Sequence, residues 1–368
     1  MLVLAALAAC GTPGAERDAR LPSAEERRAR AFTLTEVARS DPDALFALIG
    51  GLDVDSRGRI FVADLAAPEV TVLAPDGRLE RTVGRRGSGP GEFQGISSVQ
   101  VLPDDSLLVF DRHRERITVF GPSLDSAAYT VNLASRGTVG ARQVHRTRSG
   151  GDLVAVFTRA YSTWDDPRED ASRMNVVRLL GADGALRRDS MLMVRANESL
   201  VRREGRGVAS AFNPFGGQSL VRFGPGDRLY HAWTDSLGVT VYGPDGTRTS
   251  RFRVDHPAKA VDAADVEQWS GRLGSAFRPA LDEAAKGGWP ALDEMVVDDA
   301  GRVWLRLSGG ETETREWLIF SGDGRYERSA FLPAGTVIHQ VRANRVFTSV
   351  DPEEEPRIAV YALSSRWR

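Results

Sequence analysis

Short apolar runs, separated by polar turns rich in Gly, Pro and Asp, follow one another along most of the chain. Residues 58–64 (GRIFVAD) and 69–75 (EVTVLAP) return forty-seven positions later as residues 105–111 (DSLLVFD) and 116–122 (RITVFGP). Each unit reads as a strand, a short link, a second strand and a turn. A fixed period of this size is typical of repeat architectures, and its all-β content indicates β-propeller blades.

Related turn–strand–strand units recur near residues 150, 225, 299 and 343, which makes six in all. Several end in Asp-Gly, a dipeptide that favours tight hairpin turns because both positions tolerate positive φ. The pattern therefore predicts a six-bladed β-propeller over residues 31–368. The sixth unit lacks an outermost strand, and the alternating residues 31–37 (AFTLTEV) are expected to supply it. Such closure removes exposed sheet edges.

Three stretches interrupt the repeat, over residues 160–173, 195–218 and about 257–290. The last predicts a short helical insertion, with Asp262 as its N-cap and a second short helix opening at Pro279. Long insertions on a rigid scaffold often carry binding surfaces. Among their aromatic residues, Tyr161 and Trp164 lie between Asp and Arg residues, and we predict that these two contact a ligand or partner.

The N-terminus has a different character from the repeats. Residues 1–9 are apolar, too few to span a bilayer, and they precede Cys10, the one cysteine of the chain. The small residues before Cys10 resemble the lipobox of bacterial lipoproteins, which implies that residues 1–10 end a signal peptide and that Cys10 is lipidated. Residues 11–30 are polar and aperiodic, so a flexible tether is expected there. We expect an exported chain, anchored to the outer membrane or cell surface.

The overall charge gives little support to nucleic-acid binding. The chain has 48 Lys and Arg against 50 Asp and Glu, whereas proteins that bind nucleic acid usually carry a basic excess. Its glycine-rich loop, residues 84–91, leads into a strand rather than a helix, which favours a turn over a phosphate site. Six arginines near the first two blades are expected to be solvated strand ends paired with nearby acids: Arg81, Arg85, Arg86, Arg112, Arg114 and Arg116.

The sequence contains no local metal-binding motif. The five histidines never pair at spacings of two or four residues, so a metal site would require ligands that converge from different blades. His145, Glu294 and His339 fall on predicted inner strands and are the candidates for such convergence.

The first two blades resemble the NHL-repeat family of β-propellers over roughly 90 residues. Asp64 and Asp111 match the aspartate that follows the middle strand of that family, and Arg116 matches its arginine, whereas Glu69 departs from the pattern. The whole chain resembles bacterial six-bladed propeller lipoproteins. We therefore expect a monomeric, non-catalytic scaffold without a cofactor, which binds a protein or small-molecule ligand in the cell envelope. The alternative is an exported hydrolase or lyase with a divalent metal, such as calcium, in the central channel.

Overall fold

The structure of the protein is a computed structural model, which describes residues 15–149, 151–159, 174–204, 207–309, 313–350 and 355–364. The N-terminal segment contains β1 (Ala15–Ala19), α1 (Ala24–Ala29) and β2 (Leu34–Arg39). The first blade contains β3 (Ile49–Val54), β4 (Ile60–Asp64), β5 (Val70–Leu73) and β6 (Leu79–Val83), and its exit loop holds β7 (Arg85–Arg86) and β8 (Glu92–Phe93). The second blade contains β9 (Ile96–Val101), β10 (Leu107–Asp111), β11 (Arg116–Phe120) and β12 (Ala127–Asn132).

The third blade contains β13 (Ala141–Arg146), β14 (Leu153–Arg159), β15 (Met174–Leu180) and β16 (Leu186–Arg195), and a hairpin of β17 (Ser199–Glu204) and β18 (Gly207–Phe212) follows it. The fourth blade contains β19 (Ser219–Gly224), β20 (Arg228–Trp233), β21 (Gly238–Tyr242) and β22 (Arg248–Val254). The helices α2 (Ala263–Leu273) and α3 (Arg278–Ala285) precede the fifth blade, which contains β23 (Leu292–Val297), β24 (Val303–Leu307), β25 (Thr314–Phe320) and β26 (Tyr326–Pro333). The sixth blade contains β27 (Val337–Arg342), β28 (Arg345–Val350) and β29 (Arg357–Leu363).

These sheets form a six-bladed β-propeller, as the sequence predicts. Within each blade, neighbouring strands pair antiparallel. The innermost strands β13, β9, β3, β27, β23 and β19 follow one another around the ring, each beside the next, so that β27 of the last blade lies beside β3 of the first. The predicted closure is confirmed, because β2 pairs antiparallel with β29 and becomes the outermost strand of the sixth blade.

The hydrophobic core is a ring rather than a single centre. In the described residues, buried side chains form seven clusters, and six of these each lie between two neighbouring blades. Between the first two blades, for example, Phe61 packs in one cluster with Phe93 and Phe120. Every residue of β10 and β11 is buried. Burial on both faces explains why the middle strands read as continuous apolar runs instead of alternating ones.

The Asp-Gly turns between third and fourth strands also hold the blades together. Gly246 has φ of 80°, which favours glycine, and a Cβ added there would lie 2.5 Å from the carbonyl oxygen of Met191. Met191 belongs to β16, the outermost strand of the preceding blade. Gly77 approaches the carbonyl of Arg39 in β2 in the same way. Glycine therefore allows both the turn and the close approach of the next blade.

Within the stretch predicted as a tether, residues 15–29 contain a strand and a helix that contact the propeller. Strand β1 pairs parallel with β22 and adds a fifth strand to the fourth blade. Leu21 packs against the cluster between the fourth and fifth blades. Arg27 of α1 forms a two-point ion pair with Glu316, at 2.8 and 3.0 Å. Pairing to an open sheet edge orders these residues without an apolar pattern of their own, which explains why the composition alone indicated a tether.

The predicted helical insertion is confirmed. Asp262 caps α2, and its side chain accepts a hydrogen bond from the backbone N–H of Asp265 at 2.9 Å. The side chain of Asp265 in turn accepts one from the backbone N–H of Asp262. The helices and the β17–β18 hairpin share a small cluster around Leu200, Val266 and Leu281. In the described part of the chain, no helix is long and apolar enough to cross a membrane.

Candidate ligand-binding site

The central channel holds a cavity of about 610 Å³ that all six innermost strands border. Its apolar wall includes Leu52, Phe223, Val296, Val297 and Ile338. The polar side chains that line it are Ser97, Ser98, Arg142, Gln143, Arg222, Glu294 and His339. Besides Ile49 and Leu52, the first blade contributes Gly51, which has open space where a side chain would stand.

Glu294 and its neighbours form a buried network of charges. An ion pair of 2.9 Å joins Glu294 to Arg306, and Arg306 also donates a hydrogen bond to Asp293 at 2.6 Å. Burial raises the pKa of Glu294 to about 7, although Arg306 and Arg222 act in the opposite direction. Arg306 is therefore shared by two carboxylates, of which Glu294 is only partly ionised near pH 7.

The two channel arginines have few partners. Arg222 donates a hydrogen bond to the carbonyl of Val221 at 3.0 Å, and burial lowers its pKa while Glu294 raises it. Arg142 makes no hydrogen bond or ion pair with any described residue, and burial together with Arg112 lowers its pKa. A guanidinium stays protonated despite such effects, so both side chains bring positive charge to the cavity.

The three candidate metal ligands lie on inner strands, as the sequence predicts, but only two of them border the cavity. Glu294 and His339 line it, whereas His145 stacks on Phe223 with ring centroids 4.2 Å apart. His339 forms a hydrogen bond of 2.9 Å with Ser349. Burial lowers the pKa of His145 and of His339 to about 4, so both imidazoles are neutral at pH 7. Among the described residues, no group of three or more His, Cys, Asp or Glu is placed to hold a metal ion.

A cleft extends sideways from the channel beneath the helical insertion. A pocket of about 340 Å³ shares Arg142, Gln143 and Arg222 with the channel cavity. It also shares Phe212 with a further pocket of about 490 Å³. The middle pocket therefore neighbours both of the others, whereas the channel cavity and the outer pocket share no lining residue.

Aromatic side chains from the insertions form the wall of this cleft. Phe212, at the end of the β17–β18 hairpin, is 50% exposed, and its ring centroid lies 5.8 Å from that of Trp269 in α2. Trp289 packs edge-on against Phe215 at 5.0 Å and donates a hydrogen bond to Asp265 at 3.1 Å. Trp289 is thus held mainly by packing, whereas Phe212 remains open to a ligand.

Two features that the sequence singles out have structural roles. The carboxylate of Glu92 accepts hydrogen bonds from the amides of Ser88 and Gly89, at 2.9 and 2.8 Å, so the glycine-rich loop is an interblade turn whose amides already have an acceptor. Arg116 donates to the carbonyls of Ser88 and Glu92 and is buried. Arg85 is exposed and pairs with Glu92, whereas the burial of Arg116 contradicts the expectation that it is a solvated strand end.

Some predicted contacts lie outside the described residues. Cys10, Tyr161 and Trp164 are in this group, and their proposed roles remain predictions. The sequence does not indicate that Arg142 and Arg222 line the channel. Both lie on the inner strands of the third and fourth blades, where the forty-seven-residue register can no longer be read, so no pattern marked them as channel residues.

Comparisons with known proteins agree with the fold. A family model described as a 6-bladed beta-propeller matches residues 43–135. No curated protein shows significant sequence similarity to the chain.

Solved structures resemble the chain over most of its length. A Bacteroides fragilis protein described as exported is 11% identical, with a TM-score of 0.55, over 94% of this chain and 98% of its own. A member of the DUF4221 family from Bacteroides vulgatus is 8% identical, with a TM-score of 0.52, over 91% of this chain and 98% of its own. A gluconolactonase from Xanthomonas campestris is 14% identical, with a TM-score of 0.49, over 94% of each chain. At these identities the likeness concerns the fold alone. The family match and the six blades of the structure together make the chain a six-bladed β-propeller.

Proposed function

We propose that this protein is an exported, non-catalytic β-propeller that binds a small-molecule ligand in its channel and the adjoining cleft. The observation that carries the proposal is the series of three neighbouring pockets, in which the middle one shares Arg142 and Arg222 with the channel cavity and Phe212 with the outer pocket. The channel cavity, about 610 Å³, falls within the usual range for small-molecule sites, and its mixture of apolar walls with a few polar groups is also usual for them.

The cellular place of the protein is part of the proposal. The lipobox-like residues before Cys10 support lipidation at Cys10 and attachment to the outer membrane or cell surface. In the native bacterium, the wild-type protein is expected in the membrane fraction and the Cys10→Ser variant in the soluble fraction. Recovery of the wild type as a soluble protein would contradict the anchor without affecting the binding site.

A screen of a defined fragment library by ligand-observed NMR tests the binding function. Fragments are expected to bind wild type, and Phe212→Ala should weaken those that occupy the cleft, because half of the ring is available for contact. Leu186→Ala is the matched control, since Leu186 is 49% exposed on the outer strand β16, away from the pockets. Failure of every fragment to bind, or equal binding to Phe212→Ala and wild type, would contradict the proposed site.

The proposal requires no cofactor, and this can be checked separately. Thermal unfolding with EDTA and then with excess calcium is expected to give the same melting temperature, since nothing in a ligand-binding scaffold depends on a metal. A bound ion would stabilise the folded state by mass action. Loss of several degrees with EDTA, restored by calcium, would instead favour the metal-dependent hydrolase or lyase.

A further inference from the structure

The charges around the channel do not balance. With both carboxylates ionised, Arg306 lies between Asp293 and Glu294 and offsets one of their two negative charges, and protonation of Glu294 would only enlarge the positive excess. Arg142 and Arg222 together bring two positive charges to the same cavity, so one positive charge remains without a partner in this group. A charge held in a partly desolvated cavity is costly unless a counter-charge joins it.

We propose that the channel binds the carboxylate of a small organic monoanion through Arg222 and Arg142, while the body of the ligand lies against the apolar wall. This inference rests on the proposed function and gives its ligand a chemical class. The wall that would receive the body includes Leu52, Phe223 and Ile338.

The chemistry of the lining favours a carboxylate over other anions. A guanidinium offers a planar pair of N–H donors that matches the two oxygens of a carboxylate. One negative charge balances the single excess positive charge, whereas a phosphate dianion would place its second charge near Glu294. The oxygen Oγ of Ser98 is buried in the cavity lining and has no hydrogen-bond partner, and it supplies a further group for a bound carboxylate.

The first blade leaves room for such a ligand. A Cβ built on Gly51 would meet no atom within 4 Å, and the backbone of Gly51 does not require glycine, since its φ is not positive. A larger side chain at this position would therefore project into the channel without straining the strand. Gly51→Leu is a means of filling the cavity without changing its charge.

Benzoate and benzamide are suitable probes, because they share one shape and differ in charge. Titration calorimetry is expected to show benzoate binding at least about tenfold more tightly than benzamide, as a lost hydrogen bond to a charged group costs about 1.5–3 kcal/mol. Arg222→Gln should lower the affinity for benzoate by a similar factor. Gly51→Leu and Arg142→Gln serve as second variants if Arg222→Gln does not fold. Arg81→Gln, on the outer strand β6, is the control and should bind as wild type does.

Equal affinity for benzoate and benzamide would overturn the inference, and so would benzoate binding that none of the channel variants weakens. Inorganic phosphate that binds more tightly than benzoate would overturn the carboxylate assignment. Two failures can be distinguished by the fragment screen. Neutral fragments that bind the cleft without any preference for anions would leave the proposed function standing, whereas a protein that binds no fragment at all would contradict both.

Discussion

At the scale of single residues, the repeated positions of the first two blades stabilise loops. Asp64 accepts hydrogen bonds from the amides of Ala47 and Leu48, at 2.7 and 3.0 Å. Asp111, forty-seven positions later, accepts them from Gln94 and Gly95, at 2.8 and 3.2 Å. Each aspartate ties the loop that enters its blade to the end of the second strand. The repeat in the sequence therefore marks residues of the scaffold, whereas the channel arginines Arg142 and Arg222 lie outside it.

Gly246 offers a test of how the blades are held together. Gly246→Ala is expected to destabilise the protein by about 2–4 kcal/mol, because it combines a left-handed backbone with a clash against the carbonyl of Met191. Gly226→Ala is the matched control, since Gly226 has φ of 70° but no atom within 4 Å of an added Cβ. It should cost only about 1 kcal/mol, the strain of the backbone alone. Equal losses in chemical denaturation would show that the contact between blades adds nothing.

At the scale of elements, the sequence predicts the strands with a readable apolar pattern and the capped helix, but it does not predict the β17–β18 hairpin or the N-terminal elements β1 and α1. The β17–β18 hairpin lies within residues 195–218, one of the stretches that interrupt the repeat. Its apolar and polar residues alternate weakly, and its burial depends on the helices α2 and α3. Strand β1 is likewise stabilised by its pairing with β22 rather than by an apolar pattern of its own. Elements that depend on a distant partner leave little trace in local sequence.

The docked N-terminal segment can be tested against the tether that the sequence predicted. Hydrogen exchange should show protection of residues 15–29 in wild type, and Arg27→Ala should remove it. The expected cost is about 1–3 kcal/mol, because Glu316 would lose a partner while largely buried. Arg17→Ala is the control, since its pair with Asp323 at 3.3 Å is exposed and should contribute little. If residues 15–29 of the wild type exchange as fast as an unstructured chain, the segment is a flexible tether and the docked arrangement is wrong.

At the scale of the whole molecule, the fold could be predicted because every blade repeats one physical problem, the burial of two sheet faces against two neighbours. The six interblade clusters solve it with the apolar runs that are visible in the sequence. The site could be predicted only in part. Glu294 and His339 were placed on inner strands, but their approach to Arg222 depends on strand register across separate blades, which local sequence does not encode.

Ring closure gives the last prediction, since β2 alone covers the edge of β29. Deletion of residues 1–40 removes β2 and the bonds of Ser40 to Ile358, which exposes the backbone of β29. An uncovered edge strand pairs with other chains, so this variant is expected to self-associate and to melt at a lower temperature. Deletion of residues 1–30 is the matched control, because both variants lose β1 and uncover β22 but only the control keeps β2. The control should therefore self-associate less in size-exclusion chromatography with light scattering and melt at a higher temperature. If the variant without residues 1–40 has the same oligomeric state and the same melting temperature as the control, closure by β2 does not stabilise the ring.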